Sequence, residues 1–80
     1  MTITAVFFAS YADAFGRDRM EMEVPSGSTV GDLLQQLRTL DRERSLPPSP
    51  LIAVNARYAR HDQLLRAGDE VAVIPPVAGG

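Results

Sequence analysis

The stretch that most constrains this chain is its last thirteen residues, Gly68-Asp69-Glu70-Val71-Ala72-Val73-Ile74-Pro75-Pro76-Val77-Ala78-Gly79-Gly80. Gly68-Asp69 is a turn signal. Val71 to Ile74 are short, apolar and partly β-branched, which predicts a buried strand. Pro75-Pro76 stops that strand, because neither residue can donate to a sheet ladder and both fix φ. Four residues remain beyond the stop, and the last two have no side chain. Any fold for this chain must therefore hold a buried strand close to its end and let the backbone leave from it.

That ending has a chemical use. Without Cβ atoms, Gly79 and Gly80 can enter a channel too narrow for any other residue, and the proline pair stiffens the exit and gives it a direction. The one reactive group on offer is the α-carboxylate of Gly80. A carboxylate is a poor acyl donor until activated, for example as an acyl-adenylate, after which a sulfur or nitrogen nucleophile can capture it. Residues 75–80 thus read as a substrate arm for another protein's active site. The competing reading is a frayed terminus, and the proline brake directly after an apolar strand weighs against it.

Upstream, the pattern predicts a small mixed α/β domain. Thr2 to Ala9 reads as the first strand, with Ile3, Ala5 and Phe7 on one face and Thr4, Val6 and Phe8 on the other. Residues 10–18 read as a loop or a single helical turn over Ala12 to Phe15, closed by Gly16, with Phe15 as a core plug. Arg19 to Val24 alternates, Met20, Met22 and Val24 inward and Glu21 and Glu23 outward. It reads as a strand paired antiparallel to the first, and the two glutamates as a solvated strand face rather than a catalytic pair. Ser28 to about Leu40 is a helix with Thr29 as N-cap and Asp32 three residues on, a capping box. Val30, Leu33, Leu34 and Leu37 form its apolar stripe, extended by Leu40.

Residues 41–50 form a charged and then proline-rich connector. Leu51 to Val54 is a third, buried strand. Asn55-Ala56-Arg57 suits a tight turn, and Tyr58-Ala59-Arg60 a short edge strand. Residues 61–65 look like a turn of helix plugging the core with Leu64 and Leu65. His61, the only histidine, reads as a surface or capping residue, since one histidine without cysteines or clustered acids is a poor metal site. The order β-β-α-β-(β)-β gives an α+β fold of the β-grasp type: a mixed sheet with one main helix on one face and a protruding tail.

Composition removes several function classes. Eighty residues make one domain, 1–80, with a thin core. With no cysteine, the chain has no disulfide, thiolate metal site or cysteine nucleophile. Eight arginines, no lysine and a net charge of −2 leave no basic stripe for nucleic acid. The missing lysine also means the chain cannot be linked through its own side-chain amines. No basic leader and no long apolar run is present, so the expectation is a cytoplasmic protein with no membrane contact.

The motif Gly68-Asp69-Glu70-Val71-Ala72, then Pro75-Pro76-Val77, then Gly79-Gly80, resembles the small, sulfur-carrying subunit of molybdopterin synthase (the MoaD family). Phe7-Phe8-Ala9 and Ala53-Val54-Asn55 continue the resemblance, which covers nearly the whole chain in order and length. Relatives often have Arg-Glu where this chain has Ala12-Asp13. The resemblance implies a ubiquitin-like fold and a carrier that binds no cofactor or metal of its own. An ATP-dependent MoeB-type enzyme would adenylate Gly80, and a sulfur donor would convert the adenylate to a thiocarboxylate. The tail, Pro75, Pro76, Val77, Ala78, Gly79 and Gly80, would then enter a MoaE-type large subunit in a heterotetramer. There it would give sulfur to a cyclic pyranopterin precursor, two donations building the dithiolene of molybdopterin. Docking would use an apolar sheet surface, for which Phe8, Ile74 and Tyr58 are the candidates; on pattern alone, loops covering that surface is an equal reading. Competing assignments are a carrier of the ThiS or tRNA-thiolation kind, a ubiquitin-like modifier joined to lysines, and a plain interaction module.

Overall fold

The structure is a computed structural model that describes residues 1–41, 46 and 50–75. The elements are β1 (Thr2–Phe7), α1 (Ser10–Phe15), β2 (Arg19–Glu23), α2 (Val30–Leu40), β3 (Leu51–Val54), β4 (Arg57–Tyr58) and β5 (Glu70–Ile74). The five strands form one mixed sheet in the order β2-β1-β5-β3-β4. β5 is the centre: it runs parallel to β1 and antiparallel to β3. β2 is antiparallel to β1, and β4 to β3. This is the β-grasp arrangement expected from the pattern.

One face of the sheet carries the core. Ile3, Ala5 and Phe7 of β1 are buried with Val71 and Val73 of β5 and Ile52 and Val54 of β3. Val30, Leu33, Leu34 and Leu37 of α2 join them in a single cluster. Burying each such side chain contributes about 2 kcal/mol, so the helix stripe is a main source of stability. α2 begins where its sequence says: Asp32 N–H donates to Thr29 Oγ1 at 3.2 Å, and Thr29 N–H donates to Asp32 Oδ2 at 2.9 Å. These reciprocal bonds satisfy two donors that the first helical turn leaves without partners. Gly31 sits in the first turn for a reason invisible in the sequence. Its N–H donates to the His61 carbonyl at 2.8 Å, and a Cβ there would lie 3.2 Å from that oxygen.

α1 is a short helix closed by Gly16 at φ +74°. It packs Phe15 on Phe7 with ring centroids 4.4 Å apart and buries Tyr11, which the pattern did not single out. Burial pushes the Tyr11 hydroxyl above its ordinary pKa, and the Asp41 carboxylate adds to the rise.

Several expectations are corrected. β1 stops at Phe7, because Ala9 at φ +48° turns the chain out of the sheet. Val24 lies just beyond β2, though its side chain is buried as expected. Leu40 is exposed, since it occupies the final helical position beyond the last core contact at Leu37. Leu51 is exposed because it pairs with Ile74 on the face away from the core. Residues 61–65 are not helical. Leu64 forms an isolated antiparallel bridge to Thr29, and extended backbone sends neighbouring side chains to opposite sides. Leu65 is therefore buried at 4% exposure while Leu64 is exposed at 63%.

That opposition gives an expected outcome. Leu65→Ala should lower unfolding free energy by about 2–5 kcal/mol, whereas Leu64→Ala should change it by less than about 0.5 kcal/mol. Urea denaturation midpoints of the two variants measure the difference, and equal losses would contradict the orientation described.

Candidate functional site

The site is built on the end of β5. The register places Phe7 beside Val73 and Leu51 beside Ile74, so the chain leaves the sheet at Pro75 between the start of β3 and the residue after β1. Both flanks are apolar and open: Phe8 is 48% exposed and Leu51 43%, while Ile74 and Pro75 are half-buried. Pro76, Val77, Ala78, Gly79 and Gly80 lie outside the described residues, as do positions 42–45 and 47–49 of the connector.

Two hydrogen-bond networks fix where β5 starts and hence where it ends. The Gly68-Asp69 turn is made by Gly68 at φ +84°. Asp69 Oδ2 accepts from the Arg66 N–H at 2.8 Å and its Oδ1 accepts from Asn55 Nδ2 at 2.9 Å. Asn55 Oδ1 accepts from the Glu70 N–H at 3.0 Å, and the Asn55 N–H donates to the Glu70 carbonyl at 2.8 Å. Asn55 and Ala56 both have positive φ, +50° and +70°, as the two central residues of a primed hairpin turn require. One asparagine thus ties the β3–β4 turn to the first residue of β5.

The sheet face away from α2 carries an apolar surface. Residues directly opposite each other on neighbouring strands share a face. Val6, Ala72, Ala53 and Tyr58 lie in one cross-strand row, since Val6 pairs with Ala72, Ala72 with Ala53, and Ala53 with Tyr58. Ile74 and Leu51 form the next row toward the tail. Tyr58 is 75% exposed. Ala53 is buried yet stands apart from the core cluster, as its place on this face requires. Arg19 and Glu70 border the surface with an ion pair at 3.0 Å.

The three residues singled out from the sequence all open toward solvent in this region, Tyr58 and Ile74 on the face itself and Phe8 just after β1. The sequence reading missed Val6, Leu51, Ala53 and Ala72. Their alternation with core residues was legible, but the pairing register that joins them was not. Glu21 and Glu23 are exposed on β2, a solvated face as expected. His61 is half-buried, its Nε2 3.4 Å from the Pro50 carbonyl oxygen. Among the described residues, no group of three or more His, Asp or Glu side chains is placed to hold a metal ion, and no helix is long and apolar enough to cross a membrane.

Fold and site together define a ubiquitin-like β-grasp domain whose central strand leads directly into a proline-stopped tail beside an open apolar sheet face. The chain belongs to the ThiS family, whose model matches residues 5–80. Among curated relatives, it is 36% identical over 83 residues to the molybdopterin synthase sulfur carrier subunit of Drosophila ananassae, covering all of this chain and 92% of that protein. It is 38% identical over 80 residues to the subunit of the same name from Mycobacterium tuberculosis, covering 98% and 96%. Its fold superposes on SAMP1 of Haloferax volcanii with a TM-score of 0.83 at 27% identity, covering both chains fully. It also superposes on one chain of a structure of the complex of subunits 1 and 2 of molybdopterin-converting factor from Helicobacter pylori, with a TM-score of 0.73 at 20% identity, covering all of this chain and all of that one. That last likeness is one of fold.

Proposed function

We propose that this chain is the sulfur carrier subunit of a molybdopterin synthase, and that its chemistry resides in the carboxylate of Gly80. The junction at Ile74-Pro75 carries this reading: the central strand ends beside an open apolar face, and the family match runs through that junction to residue 80. The full-length likeness to two carrier subunits supports the choice of the molybdopterin branch.

The chain acts as a group carrier, and the acid–base residues belong to its partners. An activating enzyme transfers AMP from ATP to the Gly80 carboxylate and releases pyrophosphate. A sulfur donor displaces AMP and leaves a thiocarboxylate. The tail, Pro75 to Gly80, then enters a large subunit and gives its sulfur to a pyranopterin precursor. The large subunit docks on the open sheet face, around Phe8, Ile74 and Tyr58, as part of a heterotetramer of two small and two large subunits. Such an apolar surface on a domain this small is the kind that marks an interface. Because β5 ends at Pro75 beside this face, a partner docked on it lies where the tail begins.

Two outcomes test the parts separately. Phe8→Asp and Ile74→Asp should each weaken binding to the large subunit at least about tenfold, as expected for charge placed in a desolvated contact, while circular dichroism shows a folded domain. Unchanged affinity, read by isothermal calorimetry, would remove the sheet face from the interface. Adding one alanine after Gly80 should abolish sulfur transfer while leaving fold and docking in place; retained transfer by the extended chain would contradict the role given to the terminal carboxylate.

A further inference from the structure

Ala9 holds a conformation that its residue type resists. Its φ of +48° and ψ of −124° are those of the first central position of a type II′ turn, where glycine is the usual residue. The turn runs from Phe8 to Tyr11 and is closed by the Tyr11 N–H, which donates to the Phe8 carbonyl at 3.0 Å. For a residue with a Cβ this conformation is strained, and it persists only where the surrounding structure enforces it. Two buried anchors do so. Phe7 and Tyr11 both belong to the core cluster, and the Phe7 N–H is held by the Asp18 carbonyl at 2.8 Å. Between them the chain must reverse within Phe8, Ala9 and Ser10, all exposed. Packing and capping do not account for alanine here. Ala9 makes no side-chain capping bond to α1 and stands outside the core cluster. Glycine would hold the same turn without strain.

What alanine adds is restriction. Glycine at this position would roam a wide area of positive φ, whereas a Cβ leaves a narrow well once the two anchors force the turn. The side chain carried by that turn is Phe8. Phe7 pairs with Val73, so the next step of the register brings Phe8 level with Ile74, the last residue of β5. We infer that Ala9 is a positioning residue, whose strained turn fixes Phe8 in one docking pose beside the start of the tail. The inference rests on the carrier assignment and on docking of the large subunit around Phe8. Ordering a mobile contact residue on binding costs affinity, and an anchor ordered in advance avoids that cost. The Cβ of Ala9 thus acts in two opposite directions. It lowers the stability of the domain through strain, and it raises affinity for the partner through Phe8.

Ala9→Gly in the full chain tests this. The urea midpoint should rise, because the strain is removed, and the backbone amide order parameter of Phe8 from NMR relaxation should fall. Affinity for the large subunit from the same cell, read by isothermal calorimetry, should drop about three- to tenfold. In a Phe8→Ala background, Ala9→Gly should cause no further loss, since the two residues act as one unit. A lowered midpoint would remove the strain from which the inference starts. Unchanged affinity or an unchanged Phe8 order parameter, with the midpoint raised, would reduce the turn to a feature of the fold and overturn the inference. So would an equal loss in both backgrounds, because Ala9 would then not act through Phe8. Failure of the unsubstituted chain to bind the large subunit at all would overturn the docking reading and this inference with it.

Discussion

The structure depends on the central position of β5. A strand bonded on both sides, parallel to β1 and antiparallel to β3, has no freedom to slip, because a one-residue shift would send Val71 and Val73 out of the core. Its start is pinned by the Asn55 and Asp69 hydrogen bonds and its end by Pro75. The consequence is positional: the point at which the chain leaves the domain is fixed relative to the sheet face beside it. A carrier needs this property, since its reactive end must reach a partner's active site from a defined docking pose.

The same strand contributes to both surfaces of the sheet. Val71 and Val73 close the core under α2, and Ala72 and Ile74, between and after them, face the other way. The middle row of that outer face holds the small residues Ala72 and Ala53, while Tyr58, Leu51 and Phe8 are exposed at its margins. Core and open face are thus written into alternate residues of one strand.

Much of this was legible in the sequence, and the failures have a common cause. The strands, the helix with its Thr29 cap, the Gly16 closure and the inward face of β1 follow from period and turn chemistry, which are local. Leu64 and Leu65 both read as core residues in the sequence, because two adjacent leucines look alike until the backbone is known to be extended there. Leu51 was placed in the core by its apolar run, because the sequence does not show that its partner is Ile74. Gly31 is a poor helix former by residue type, and only the nearby His61 carbonyl explains its place. The ending of the chain was the opposite case. Its chemistry could be read from residue types alone, because glycine, proline and a carboxylate define what the tail can do without any contact to the domain.

The central claim is that Gly80 carries sulfur. The most direct measurement is the intact mass of the chain after incubation with ATP, a sulfur donor and the activating enzyme from the same cell, followed by mapping of the C-terminal peptide. The account predicts a mass gain equal to oxygen replaced by sulfur, confined to the peptide that ends at Gly80. An unmodified mass, obtained with an activating enzyme shown to be active on another carrier, would contradict it.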